Sequence, residues 1–152
     1  RRARRVGEEA WLQGNGLPRV EKQLQGASYK FQGGNVARFE DLAVWKRSAR
    51  LSADLYKSLR DLKDFGFRDQ ITRSGLSVPS NIAEGYERGS AKETANFLNY
   101  AKGSAGELRT QLYIAIDIGY IEREVGMAWI KEVEEISRML HGLMQTIRTK
   151  KT

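Results

Sequence analysis

From Phe39 onward the apolar residues recur at spacings of three and four, the period of α-helices that each turn one side toward a core. The first segment, predicted over residues 40–63, lines up Leu42, Trp45, Ala49, Ser52, Tyr56 and Leu59, and Val44, Leu51, Leu55 and Leu62 widen the stripe. A stripe this broad predicts packing on more than one side. After a break at Asp64-Phe65-Gly66-Phe67, a second helix is predicted over residues 68–87, its buried line traced by Ile71, Ser74, Val78, Ile82 and Gly85. The third opens on a capping box, in which Ser90 accepts from the N–H of Glu93 and Glu93 reaches back to the N–H of Ser90. It carries Phe97, Leu98, Ala101, Ala105, Leu108, Leu112, Ala115 and Ile116, and it ends at Gly119-Tyr120, glycine being the usual residue just past a helix. The fourth, over residues 124–150, carries Val125, Ala128, Trp129, Val133, Ile136, Leu140, Leu143, Met144 and Ile147. Glu122 and Glu124 at its start and Arg148, Lys150 and Lys151 at its end agree with the helix dipole. Four helices with short connections predict an all-α, antiparallel up-down-up-down four-helix bundle over residues 36–152, preceded by an N-terminal extension.

Two places break the ideal pattern. Pro79 lacks an N–H, and its ring clashes with the carbonyl four residues earlier, so the carbonyl of Gly75 loses its helical partner. Gly75 would ease the bend, and Ser77, Ser80 and Asn81 stand ready to satisfy the freed carbonyl. This polar, kinked patch reads either as a ligand site or, preferably, as a structural kink that shapes the bundle. The run Gly103-Ser104-Ala105-Gly106 costs about 1 kcal/mol of helix propensity for each glycine, so packing has to compensate. Small residues there predict a tight helix crossing, within the protomer or between protomers.

Composition adds limits. A chain of 152 residues with 40% hydrophobic and 30% charged residues fits one soluble domain after the extension. No stretch approaches the roughly 20 apolar residues that cross a bilayer, so no membrane partner is expected. No apolar segment follows the basic N-terminus as a secretory signal would. Without cysteine there is neither a disulfide frame nor a thiolate metal site, and a cytoplasmic location is the expectation. Residues 1–35 hold seven Lys/Arg against three Asp/Glu, and residues 36–152 hold nineteen against sixteen, so more than half of the net charge of +7 sits in the extension. Six of the fifteen glycines lie there too, with a short helix possible near residues 19–25. The cluster Arg1, Arg2, Arg4 and Arg5 reads as a nucleic-acid arm, or as a disordered or non-native leader, with the ordered chain starting near Val36.

Candidate chemistry is mostly electrostatic. Lys46, Arg50, Lys57 and Arg60 share one narrow arc of the first helix, because offsets of 4, 11 and 14 residues nearly complete whole turns. That arc reads as a phosphate-facing stripe, or as an ordinary salted surface given the interleaved Asp54, Asp61 and Asp64. His141 is the single histidine, so paired-imidazole sites are excluded, and no Glu-x-x-His pair, nucleophile elbow or phosphate loop occurs. No metal, no cofactor and no enzymatic activity are therefore expected. Glu84 and Glu107, each beside a glycine, are the carboxylates to inspect, with Arg73 or Arg109 as potential partners.

Four runs carry a family resemblance: Phe39-Glu40-Asp41-Leu42-Ala43-Val44-Trp45, Phe67-Arg68-Asp69-Gln70-Ile71-Thr72-Arg73-Ser74, Val78-Pro79-Ser80-Asn81-Ile82-Ala83-Glu84-Gly85 and Ala101-Lys102-Gly103-Ser104-Ala105-Gly106-Glu107-Leu108. Together they resemble the successive signatures of the four-helix-bundle proteins of 23S rRNA intervening sequences, over residues 38–122. The fourth helix resembles the family in pattern alone, and residues 1–35 lie outside the match. The resemblance implies homo-pentameric rings with no established enzyme activity. It also implies kinship with the accessory protein of diversity-generating retroelements, whose basic ring surfaces meet nucleic acid and a reverse transcriptase. Binding of RNA or DNA through Lys46, Arg50, Lys57, Arg60, Arg68 and Arg73 is the leading expectation. The alternative is a protein-interaction scaffold, such as an accessory subunit of a reverse transcriptase.

Overall fold

The computed structural model describes residues 38–149. The extension of residues 1–35, with its arginine cluster, and the terminal Lys150 and Lys151 lie outside the described residues. A 3-10 turn, Phe39–Asp41, leads into four helices: α1 (Ala43–Ser58), α2 (Phe65–Glu87), α3 (Ala91–Asp117) and α4 (Arg123–Thr149). α1 is shorter than its apolar pattern suggests, since the chain leaves helical geometry at Leu59. α2 is longer. The Asp64 carboxylate accepts from the N–H of Phe67 at 3.1 Å, so the supposed break at residues 64–67 is an N-cap followed by the first helical turn. At Ser90 the hydroxyl accepts from the N–H of Glu93 at 3.2 Å, as the capping box requires. The Glu93 carboxylate, however, takes the Ser90 hydroxyl proton at 3.0 Å rather than the backbone N–H. α3 closes on Gly119, whose φ of 78° suits glycine, while the N–H of Tyr120 reaches back to the carbonyl of Ala115 at 2.9 Å.

Residue pairs across the seams fix the direction of the helices. Arg68 donates to the carbonyl of Arg60, while Leu55 sits against Gly75. Between α2 and α3, Gln111 meets Ser74, Ser104 meets Ser77, and Thr94 donates to the carbonyl of Gly85. Arg109 faces Glu134 while Ile116 lies against Gly126. Successive helices thus run antiparallel. α1 returns to α4 through Arg47 and Glu132, closing a four-helix bundle whose diagonal pairs do not touch backbone to backbone.

The core is a single cluster drawn from all four helices, with Leu55, Ile71, Ile82, Leu98, Leu112 and Leu140 wholly enclosed. The predicted buried line of α2 is right at every position: Ile71, Ser74, Val78, Ile82 and Gly85 are all buried. On α4, by contrast, Val125 and Ala128 face outward, and Gly126 and Ile130 take the inward positions. Tyr56, read as part of the α1 stripe, is 47% exposed because it lies on the flank of the buried arc.

Pro79 is buried inside a helix that continues past it. The polar residues around it do not serve the carbonyl of Gly75 as the sequence suggests. Ser80 donates to the carbonyl of Leu76 at 2.9 Å, and Asn81 donates to the carbonyl of Ser77 at 2.9 Å. At Gly75 an added Cβ would stand 2.7 Å from a methyl group of Leu55, the end of a side chain that has to turn aside. Gly85 is tighter, because its Cβ would meet Cβ of Phe97 at 2.8 Å and the backbone of Thr94 at 3.2 Å. Gly103 and Gly106 are the reverse, with nothing among the described residues within 4 Å of an added Cβ. The crossing expected at residues 103–106 is made within the protomer by Ser104 and buried Ala105 alone, and the two glycines lie open on the outside.

This contrast is measurable. Gly85→Ala is expected to lower the unfolding free energy by about 1–2 kcal/mol, overpacking outweighing the gain in helix propensity, whereas Gly142→Ala, at an equally open helical glycine of α4, should raise it by about 0.5–1 kcal/mol. Urea titration followed by circular dichroism reads both, and equal responses at the two positions would contradict the packing described.

Candidate nucleic-acid interface

On α1 the buried residues Val44, Ser48, Leu51, Ser52 and Leu55 define the inward side, and Lys46, Arg50 and Lys57 project from the opposite one, while Arg60, expected on the same arc, stands exposed in the turn just past the helix end. The arc inferred from their spacing therefore faces away from the core. Lys46, Arg50, Arg60 and Arg73 make no salt bridge among the described residues, while Arg47, Arg88, Arg109 and Arg138 each have a carboxylate partner.

The six candidate cations do not form one surface. Lys57, Arg60 and Arg68 come together in a groove of about 390 Å³ between the end of α1 and the start of α2, shared with Tyr56, Asp69 and Thr72. Arg50 lies instead in a groove between α1 and α4, of about 530 Å³, beside Asp54, Trp129 and the Arg47–Glu132 pair. Arg73 lines a third, of about 420 Å³, between α2 and α3 with Gln70, Ser77, Glu107 and Gln111. Lys46 stands exposed near the start of α1.

Local bonding orients several of these groups. The Arg68 guanidinium lies 4.8 Å above the centre of the exposed Phe65 ring, donates to the carbonyl of Arg60 at 3.4 Å, and stands 3.8 Å from the Asp69 carboxylate. Thr72 anchors the same turn by donating to the carbonyl of Arg68 at 2.7 Å. At that end of the bundle Tyr120 ties the two loops together, its hydroxyl donating to Asp64 at 2.9 Å and its ring packing edge-on against Phe67 at 5.5 Å. The bond to Asp64 raises the pKa of this phenol. Arg47 makes a two-pronged bond to Glu132, both distances 2.7 Å, which raises the guanidinium pKa further and pins α1 to α4. Nothing in the apolar periodicity announces this pair, since both residues flank their stripes.

Glu84 and Glu107, the two carboxylates picked out beside glycines, are not brought together, and neither forms a salt bridge with Arg73 or Arg109 among the described residues. Glu84 pairs with Arg88 at 2.8 Å, Arg109 pairs with Glu134, and Glu107 lines the α2–α3 groove without Asn81 or Glu84 beside it. His141 is exposed on α4, 3.5 Å from the Gln145 amide. Among the described residues every buried side-chain nitrogen or oxygen has a partner, no group of three or more His, Asp or Glu is placed to hold a metal ion, and no helix is long and apolar enough to cross a membrane.

The fold and its outward charge define an all-helical bundle protein with shallow basic grooves. Residues 40–142 match the family model of the 23S rRNA-intervening sequence protein, and the chain belongs to this family. The match runs through most of α4, which on sequence resembles the family only in pattern. A solved structure of a protein of unknown function from the S23 ribosomal protein family of Bacteroides thetaiotaomicron is similar at 30% identity and a TM-score of 0.63, covering 67% of this chain and 98% of its own. No curated protein sequence matches the chain.

Burial raises the pKa of Asp54 above its ordinary 3.8, and the nearby charges of Lys57 and Arg50 only partly oppose that shift. The folded state thus holds this proton more tightly than the unfolded one, and the ionised carboxylate subtracts stability once the pH is above the folded value. Asp54→Asn is expected to raise the urea midpoint at pH 7, the gain disappearing as the pH falls through the carboxylate range. An unchanged midpoint at pH 7 would contradict that sign.

Proposed function

We propose that this protein is a non-enzymatic, self-assembling bundle that binds RNA or DNA in the cytoplasm. The observation that carries the reading is the arc of Lys46, Arg50 and Lys57 pointing away from the core, with Arg60 exposed just past its end. An outward cationic face binds phosphate backbones by releasing their counterions, without needing sequence readout. The family name ties its members to 23S rRNA, which supports RNA as the polyanion. Self-assembly is supported by the outward side of α3, where Asn96, Asn99, Gly103, Gly106 and Thr110 lie beside Tyr113 and Ile114, which are 46% and 45% exposed, with Lys92, Glu107 and Asp117 as the charges on that side. Open glycines beside exposed apolar residues suit close approach of a helix from another copy, and a pentameric ring is the assembly that the family resemblance favours. The same exposed tyrosine and isoleucine support a second reading, a scaffold that recruits a protein partner such as a reverse transcriptase.

Light scattering coupled to size exclusion is expected to give the mass of a closed oligomer of five copies, and a monomer at micromolar concentration would end the ring reading. Ile114→Glu should dissociate that assembly without lowering its helix content. Binding to structured RNA, followed by fluorescence anisotropy, should weaken steeply with salt. The double variant Lys46→Glu with Arg50→Glu should lower affinity by roughly tenfold or more and flatten the salt dependence. Affinity indifferent to salt would count against a phosphate-directed surface.

A further inference from the structure

We infer that the groove between α1 and α2 takes an unpaired nucleotide segment, so that the protein prefers single-stranded nucleic acid to duplex. The inference rests on the nucleic-acid reading above and adds a site and a strand preference to it. Three cations, Lys57, Arg60 and Arg68, converge there against one carboxylate, Asp69. Charge alone would serve a duplex equally well. The aromatic groups make the difference: Tyr56 lines the groove with 47% of its surface exposed, and Phe65, 60% exposed, holds the Arg68 guanidinium against its ring. Exposed ring faces interleaved with arginine are worth little to a duplex, whose bases are already stacked on one another, but they offer stacking platforms to unpaired bases. The groove is open to solvent rather than enclosed, and its volume of about 390 Å³ is on the scale of one small ligand. Arg68 is already oriented by Phe65, by the Arg60 carbonyl and by Asp69, so little side-chain freedom remains to be lost when a phosphate arrives.

The test uses the full chain and fluorescein-labelled 20-mers: oligo-U, oligo-dT and a mixed-sequence duplex, at one salt concentration. Wild type should bind a single strand more tightly than the duplex, and the RNA and DNA strands report which sugar is taken. Tyr56→Leu keeps the apolar volume and removes the stacking face, and it should weaken single-strand binding roughly tenfold while leaving duplex affinity unchanged. Arg68→Gln should weaken both and reduce the salt slope by about one. Tyr56 and Arg68 lie outside the core, and thermal melts of both variants provide the check on folding. Duplex binding as tight as single-strand binding, or an unchanged single-strand affinity in Tyr56→Leu, overturns the groove assignment while leaving the broader reading standing. Failure to bind any of the three probes overturns both.

Discussion

The bundle depends on α2 being thin. At Gly85 the start of α3 closes on α2 through Phe97 and the backbone of Thr94, and at Gly75 a methyl group of Leu55 from α1 occupies the place of the missing Cβ, with Leu108 of α3 at ordinary contact distance. α2 contains glycines and a proline whose combined propensity cost, about 1 kcal/mol for each glycine and about 3 for the proline, would melt an isolated helix. Its helical form is therefore a product of packing. The bonds that accompany the close approach are short polar ones: Ser74 to Gln111 at 2.5 Å, Ser77 to Ser104 at 2.9 Å and Thr94 to Gly85 at 2.8 Å. Small side chains make that geometry possible: the buried Thr94 hydroxyl satisfies the carbonyl of Gly85, while Ser74, Ser77 and Gln111 border the open α2–α3 groove.

Which residues of α2 and α3 are buried was legible from periodicity, because each of those helices has two well-packed neighbours and its inward arc is strongly apolar. Errors concentrated where the inward arc is bounded by amphipathic side chains. Tyr56 was assigned to the core because tyrosine counts as apolar in a stripe, yet a phenol at the edge of the arc keeps its hydroxyl and much of its ring in solvent. Val125 and Ala128 lost their inward places to Gly126 and Ile130, since a glycine against Ile116 leaves no apolar mark in a periodicity reading. At Asp64 the residue types of a break and of an N-cap coincide, and only the hydrogen bond to Phe67 separates them.

The candidate interface was legible to a lesser degree. Spacing placed four cations on one arc of α1; three of them do face outward from the helix, and Arg60 stands exposed just past its end. What spacing could not convey is which neighbouring helix each cation leans toward, because that depends on crossings that place α2 on one flank of α1 and α4 on the other. Hence Arg50 shares a groove with Trp129 of α4, whereas Lys57 and Arg60 share one with Arg68 of α2. Tyr56, the groove's aromatic member, was hidden by its assignment to the core.

α1 and α3 form a diagonal of the bundle and have no backbone contact, so their outward faces point in opposite directions. One is cationic, and on the other, around Gly103, Gly106 and Tyr113, charges of both signs such as Lys102 and Glu107 offset each other. Each helix is about 10 Å across with its side chains, so the two faces are separated by about two helix diameters, more than the screening length of roughly 8–10 Å at physiological salt. A copy approaching the α3 face therefore meets little of the repulsion that α1 would exert, and the cations a polyanion meets on α3 are offset by carboxylates, Arg109 by Glu134 among them. The physical requirement for a charged assembly, that contacts and charge occupy different sides of the protomer, is already satisfied by the order in which four helices pack around a thin α2.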